Sequence, residues 1–169
     1  GVARPSTDPT SDKHTYSMVK NMTGEMHECM IYLSMYAGVG TLEIGVDEDA
    51  TIEPIATPFE HKIVFVGSSI THGASASHPG NCFVARLGRM FNAETPNLGH
   101  SGQCKLQPHF VDMVCDTKAD CFVFDAFSNP SAKRIEERLY NFVADIRKVH
   151  PATPLIFLQT LRRDHTLFN

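Results

Sequence analysis

The sequence predicts an α/β protein, a flavodoxin-like three-layer α/β/α sandwich around a parallel sheet, preceded by part of an antiparallel β-domain. Two observations carry this prediction. After residue 61, short apolar runs alternate with segments whose apolar residues recur at helical spacing, which indicates repeated βα units and a parallel sheet with right-handed crossovers. Before residue 50, apolar residues instead recur at every second position, which is typical of strands with one buried face.

The first part of the chain predicts a β-hairpin over residues 28–46. Alternate apolar positions flank a Gly-containing turn at 37–40: Cys29, Ile31, Leu33 and Met35 before it, and Leu42, Ile44 and Val46 after it. Because one hairpin is only marginally stable in water, we expect it to belong to a larger antiparallel β-domain whose other strands lie outside the chain. Residues 50–61 contain two prolines and no periodicity, so a linker is expected there, with domains at 1–58 and 59–169.

The second part predicts four strands and three helices in alternation. The strands are the apolar runs at residues 63–66, 96–98, 121–124 and 155–158. A first helix is expected at 81–92, with Asn81 as its cap, and a second one carries Leu106, Phe110 and Val114 on one side. The third helix is expected at 131–149, between a Ser131 cap and Pro151.

Composition narrows the function classes. The 169 residues carry a net charge of −4 with scattered lysines and arginines, so we expect no nucleic-acid partner. No run approaches the ~18 apolar residues of a membrane span, so we expect a soluble chain.

No Lys follows the glycines at 67–73 and no G-x-G-x-x-G occurs, so no nucleotide cofactor is expected. Five cysteines without a zinc-ligand spacing predict reduced thiols and no metal. The chain shows no targeting segment, and this leaves the compartment open. The oligomeric state is open as well.

Three predicted strand ends carry the small and polar residues from which a site could be built. Gly67-Ser68-Ser69-Ile70-Thr71 follows the first strand, residues 97–102 follow the second, and residues 125–129 follow the third. Because ligands bind beyond the carboxyl ends of parallel strands, we expect the three to converge on one crevice. A serine directly after a buried strand faces substrate while its backbone stays anchored, so Ser69 is the candidate nucleophile.

In this order, the three segments resemble blocks one to three of the SGNH, or GDSL-like, hydrolase superfamily, with Gly-Ser-Ser where Gly-Asp-Ser is usual. The chain resembles in particular two-domain esterases in which a β-sandwich precedes the hydrolase domain. The resemblance implies that Ser69 is the nucleophile of a serine esterase. It also implies an oxyanion hole formed by the backbone N–H groups of Ser69 and Gly102 and the side-chain amide of Asn129. No cofactor is implied, and the expected substrate is a small-molecule or carbohydrate ester, such as an acetyl ester.

The catalytic base is the missing part of this prediction. A serine hydroxyl is a poor nucleophile at neutral pH unless a histidine takes its proton and an acid orients that histidine. The resemblance implies an Asp-x-x-His motif, which this sequence does not contain. Asp164 and His165 are adjacent and cannot act as an i, i+3 pair. The other histidines near the predicted crevice are expected in loops or on the surface: His72, His78, His100 and His109. We therefore expect a fragment, truncated at both ends, that lacks its base.

Two other function classes remain open at this point. A non-catalytic relative could keep the crevice for carbohydrate or protein binding after losing the base. A flavodoxin-like binding protein unrelated to hydrolases would share the fold alone. A downstream Asp-x-x-His in a longer reading frame would favour the enzyme, and a complete frame without one would favour the binding protein.

Overall fold

The computed structural model describes residues 13–56 and 58–160. They divide into two compact units, with the boundary between Ile31 and Tyr32. Residues 13–31, in the first unit, form neither a helix nor a strand. The domain boundary expected after residue 58 stays a prediction.

The β-hairpin predicted over residues 28–46 is not formed, and this prediction was wrong for the structure described. No strand is assigned to these residues. Their alternating apolar side chains are 43–53% exposed: Ile31, Leu33, Leu42, Ile44 and Val46. Period-two spacing indicates a face that a partner sheet could bury, but it supplies no partner, and an unpartnered hairpin is marginal in water. The β-sandwich domain implied by the resemblance stays a prediction.

The second unit contains the α/β elements, and their order confirms the predicted alternation. They are β1 (Ile63–Gly67), α1 (Ser69–His72), α2 (Phe83–Phe91), β2 (Asn97–Gly99), α3 (Pro108–Cys115), β3 (Cys121–Asp125), α4 (Ala132–Val149) and β4 (Leu155–Phe157). A 3-10 turn at Pro79–Asn81 precedes α2. Ser131 caps α4 as predicted, its hydroxyl accepting from Arg134 N. The short helix α1 was not predicted.

Two helix starts differ from the sequence prediction. Cys82, not Asn81, is the N-cap of α2, and the Asn81 amide instead donates to Ser77 Oγ at 3.0 Å. Leu106 lies before α3 with a φ of 58°, because Pro108 sets the first turn of that helix. The Leu106 side chain is still buried, so its apolar character was read correctly and its position in the helix was not.

The four strands form one parallel sheet in the order β2-β1-β3-β4. This is the flavodoxin-like order over four strands, and the direction of winding reverses between β1 and β3. In that pair, Gly67 and Asp125 are register partners at the carboxyl ends. Ligand crevices in open α/β sheets lie outside such a reversal point, so the fold places the residues after β1 and β3 where a site is expected.

Helices cover both faces of the sheet, which gives the three predicted layers. One face packs on α3 and α4 through a buried cluster that includes Val64, Val66, Phe110, Val114, Phe122, Phe124, Phe142 and Ile146. The other face packs on α2 through Phe65, Val84, Ala85 and Val123. Near-continuous apolar runs in β1 and β3 follow from this burial on two sides. No helix within the described ranges is long and apolar enough to cross a bilayer.

A segment that precedes the sheet also packs on the α/β elements. Arg89 Nη1 donates to Tyr32 Oη at 2.9 Å, and the guanidinium lies 5.5 Å from the centre of the Tyr32 ring. Met35 packs against the cluster under α2, and its carbonyl oxygen is bonded to His72 Nε2. Residues 32–36 therefore contribute to the packing of the α/β unit, which the sequence did not predict.

Candidate active site

Ser69 lies at the carboxyl end of β1, where the sequence placed it. It is the first residue of α1, and the preceding Ser68 caps that helix by accepting a hydrogen bond from Ile70 N at 3.1 Å. Ser69 is half-buried, and its hydroxyl makes no hydrogen bond within residues 13–56 and 58–160. α1 ends at Gly73 in the left-handed conformation, with a φ of 112°. A strand, one capping residue and a one-turn helix thus present the Ser69 hydroxyl, which makes no hydrogen bond to the described residues.

Two glycines allow α1 to lie directly against the strand ends. A Cβ on Gly67 would come within 2.7 Å of Thr71 Cβ and 2.9 Å of Asp125 Cβ. A Cβ on Gly99 would come within 2.6 Å of His72 Cα and 2.7 Å of the Thr71 carbonyl carbon. These distances are far below van der Waals contact, so the turn that carries Ser69 sits in space that only glycine leaves free.

The loop after β2 is tied to the Ser69 turn by backbone and amide hydrogen bonds. His100 N donates to Gly67 O at 2.9 Å, and Asn97 Nδ2 donates to Thr71 O at 2.7 Å. Gly102 follows in the same loop, exposed, with a φ of 72° and with nothing within 4 Å of the place where a Cβ would stand. Its backbone is therefore open to an approaching ligand.

Asn129 joins the loop after β3 to the loop after β2. Its Nδ2 donates to Gln103 O at 2.6 Å, next to Gly102. The structure thus brings together two of the three predicted site residues through this bond. No described hydrogen bond joins Ser69 directly to Gly102 or Asn129, and the roles assigned to the three by the resemblance stay predictions.

A buried carboxyl group underlies the Ser69 turn, and sequence reasoning gave it no role. Asp125 is 7% exposed at the end of β3. One of its oxygens, Oδ2, accepts from Ser68 N at 3.3 Å, from Thr71 Oγ1 at 3.1 Å and from Ser68 Oγ. The other, Oδ1, accepts from Ser128 Oγ at 2.5 Å. An aspartate that ends an apolar strand was the sequence signal for this network, and its register with Gly67 is seen only in the structure.

The network also affects a neighbouring thiol. Burial, and then the charge of Asp125, raises the pKa of Cys104 to about 12. The thiol is only 1% exposed, so it stays protonated and inert at neutral pH. No cluster of three or more metal-ligating side chains occurs in the described part of the chain.

Two histidines beside the Ser69 turn, His72 and His100, make no described hydrogen bond to Ser69. His72 Nε2 is bonded to Met35 O, its ring lies 4.4 Å from that of Tyr36, and its buried Nδ1 has no hydrogen-bond partner among residues 13–56 and 58–160. His100 is exposed, with Nδ1 3.1 Å from Leu98 O. Asp164 and His165 lie outside the described residues.

Two family models match the chain. The model of the GDSL-like lipase/acylhydrolase family matches residues 60–169, and a model described as the N-terminus of Esterase_SGNH_hydro-type matches residues 2–52. None of the curated proteins matches the chain.

Solved structures are similar over different shares of the chain. A GDSL-like lipase from Bacteroides ovatus is 46% identical with a TM-score of 0.77, over 82% of this chain and 41% of its own. Salicylyl-acyltransferase SsfX3 of a tetracycline biosynthetic pathway is 24% identical with a TM-score of 0.46, over 56% of this chain and 30% of its own. A possible lipase from Chitinophaga pinensis is 17% identical with a TM-score of 0.45, over 62% of this chain and 50% of its own.

The chain thus spans less than half the length of the Bacteroides ovatus lipase. The family model nevertheless covers well over half of this chain, including every strand of the sheet and the Ser69 turn. The chain belongs to the GDSL-like lipase/acylhydrolase family of SGNH hydrolases.

Proposed function

We propose that the protein is a serine esterase in which Ser69 forms an acyl-enzyme. The observation that carries the proposal is the position of Ser69: first residue of α1, directly after a buried strand, at the reversal point of the sheet, with its hydroxyl uncommitted. Membership of an acylhydrolase family supports the same reaction class.

The reaction is an acyl transfer in two halves. Ser69 Oγ attacks the ester carbonyl carbon while a base takes the hydroxyl proton, and the carbonyl electrons move to oxygen. Collapse of this intermediate breaks the bond to the alcohol, which leaves with the proton from the base. Water then attacks the acyl-enzyme in the same way, which releases the acid and restores Ser69.

Three donors are proposed to stabilise the negative oxygen. The N–H of Ser69 belongs to the first turn of α1, where backbone donors have no partner within the helix. The N–H of Gly102 lies in an exposed loop without a side chain. Asn129 uses one Nδ2 hydrogen on Gln103 O, and a primary amide carries two, so one remains for substrate. Removing one such donor costs ~100- to 1,000-fold in kcat.

The proposed substrates are small-molecule or carbohydrate esters, with acetyl esters as the first class to test. This choice rests on the resemblance to two-domain esterases. Hydrolysis of p-nitrophenyl acetate tests the reaction, and a panel of acetylated sugars tests the alcohol part.

The decisive comparison uses the protein that contains this chain, its Ser69→Ala variant and Ser17→Ala as a matched control at an exposed serine of the first unit. Turnover is expected to fall to background in Ser69→Ala only. Equal turnover in Ser69→Ala and the unaltered protein would show that Ser69 is not the nucleophile.

A second comparison addresses the base. Because the sequence holds no Asp-x-x-His motif, residues 1–169 alone are expected to turn over ester near background. Robust Ser69-dependent turnover by these residues alone would instead assign the base to a histidine already present, with His100, His72 and His165 the first to replace.

A further inference from the structure

We propose that Asp125 is a positioning residue that holds the nucleophile turn and the Asn129 loop in a fixed mutual arrangement. The inference rests on the proposed function of Ser69. It concerns a residue outside the three that the resemblance singles out, and it follows from the hydrogen bonds around one buried carboxyl group.

Asp125 fixes the chain on both sides of Ser69. Oδ2 accepts from the backbone N–H and the hydroxyl of Ser68, immediately before the nucleophile, and from Thr71 Oγ1, two residues after it. Ser68 and Thr71 are each 1% exposed, so these bonds are shielded from water. The carboxyl oxygen therefore anchors the short helix α1, which is too short to be stable by itself.

The other carboxyl oxygen of Asp125 reaches the opposite side of the proposed site. Oδ1 accepts from Ser128 Oγ at 2.5 Å, and Ser128 directly precedes Asn129. Asn129 is in turn bonded to the loop that carries Gly102. One side chain therefore links the proposed nucleophile to two of the proposed oxyanion donors. A displacement of ~1 Å between such groups can cost ~100-fold in rate.

The groups around Asp125 require a hydrogen-bond acceptor at this position and not a further acid–base group. An ionised carboxyl group only accepts hydrogen bonds, and all four groups around Asp125 can donate. None of its described bonds goes to a histidine, so its role differs from that of the acid in a Ser-His-Asp triad. An asparagine can keep its Oδ1 toward Ser68 and Thr71 and donate from Nδ2 to the Ser128 hydroxyl, which can turn to accept.

The test compares Asp125→Ala, Asp125→Asn and Val114→Ala in the protein that contains this chain. Val114 is fully buried in α3, in the cluster that packs α3 and α4 on the sheet, and serves as a matched loss of core stability. The first readout is amide hydrogen exchange, resolved for residues 68–72. Losing the bonds to Asp125 is expected to speed exchange there ~10- to 100-fold in Asp125→Ala. Asp125→Asn is expected to stay within ~3-fold of the unaltered protein, and Val114→Ala to show no selective change in these residues.

The second readout is the division between kcat and KM. Asp125→Ala is expected to lower kcat ~10- to 100-fold with KM nearly unchanged, because substrate contacts persist while the nucleophile is misplaced. Asp125→Asn should recover kcat, and Val114→Ala should keep it. If Asp125→Ala does not fold, Thr71→Val removes one of these bonds at nearly constant volume and should speed exchange at residues 68–72 ~3- to 10-fold.

Unchanged exchange at residues 68–72 in Asp125→Ala, or in Thr71→Val where the alanine variant does not fold, would overturn the proposal. The same holds if Val114→Ala produces an equal and equally selective change. Failure of the proposed function has a different signature, since turnover would then survive in Ser69→Ala. The exchange measurement decides the positioning role in either case.

Discussion

Gly99→Ala tests the close contact between β2 and the helix that carries Ser69. The new Cβ would stand 2.6 Å from His72 Cα and 2.7 Å from the Thr71 carbonyl carbon. Both are backbone atoms, so no side-chain rotation can relieve the overlap. Because ordinary contact begins near 3.4 Å and the backbone nitrogen of His72 would lie closer still than these two atoms, α1 has to move away from β2 by more than about 0.8 Å.

The expected effect follows from this displacement. Overpacking of this kind costs ~1–3 kcal/mol, and in a chain of this size each kcal/mol lowers Tm by ~2–4 °C, so Tm should fall by ~2–12 °C. The movement also shifts Ser69, so ester turnover should fall by more than the loss of folded protein explains, ~100-fold for a shift near 1 Å.

Thermal unfolding followed by circular dichroism measures the first effect, and p-nitrophenyl acetate hydrolysis at a temperature where all variants are folded measures the second. Gly38→Ala is the matched control, because a Cβ there meets nothing within 4 Å and Gly38 has no positive φ. Its Tm should stay unchanged. A Gly99→Ala protein with the Tm and turnover of Gly38→Ala would refute the proposed contact between β2 and α1.

Two further predictions concern groups that face Asp125. Ser68→Asp recreates the usual Gly-Asp-Ser of the family but places a second carboxyl group against the buried carboxyl group of Asp125. The free energy of unfolding should therefore fall at neutral pH by ~1–3 kcal/mol and recover in the Ser68→Asp/Asp125→Asn double variant. A double variant as unstable as Ser68→Asp would contradict this. Burial, and then the charge of Asp125, raises the pKa of Cys104 from its ordinary 9.0 to about 12. Iodoacetamide at pH 8.5 is therefore expected to modify exposed Cys29 and to spare Cys104. The free energy of unfolding should keep the contribution of the Cys104 thiol below pH 9 and lose it between pH 9 and 12. Equal alkylation of both thiols would contradict the burial.

The sequence predicted the sheet well because the signals there are local. The runs in β1 and β3 are apolar at every position because both faces are covered, and the chain then changes abruptly to Gly67-Ser68 and to Asp125. Those changes mark the strand ends, and strand ends of a parallel sheet mark the crevice. Ser69 could therefore be nominated from the sequence itself, and the family resemblance then implied Gly102 and Asn129 in the segments after β2 and β3.

The errors arose where the outcome depends on a partner distant in the sequence. The alternation over residues 28–46 indicated a possible buried face, but no residue in that stretch specifies which strand would pair with it. The role of Asp125 was missed for a related reason: its donors at Ser68 and Thr71 lie more than 50 residues away in the chain, and only the register of β1 with β3 brings them together.

Covalent labelling shows whether Ser69 is an activated nucleophile. The protein that contains this chain is treated with a fluorophosphonate ester, digested, and mapped by fragmentation of the peptide covering residues 63–86. We expect one adduct, on Ser69, that is absent in Ser69→Ala and after heat denaturation. An adduct on Ser68 or elsewhere, or no adduct on the folded protein, would contradict it.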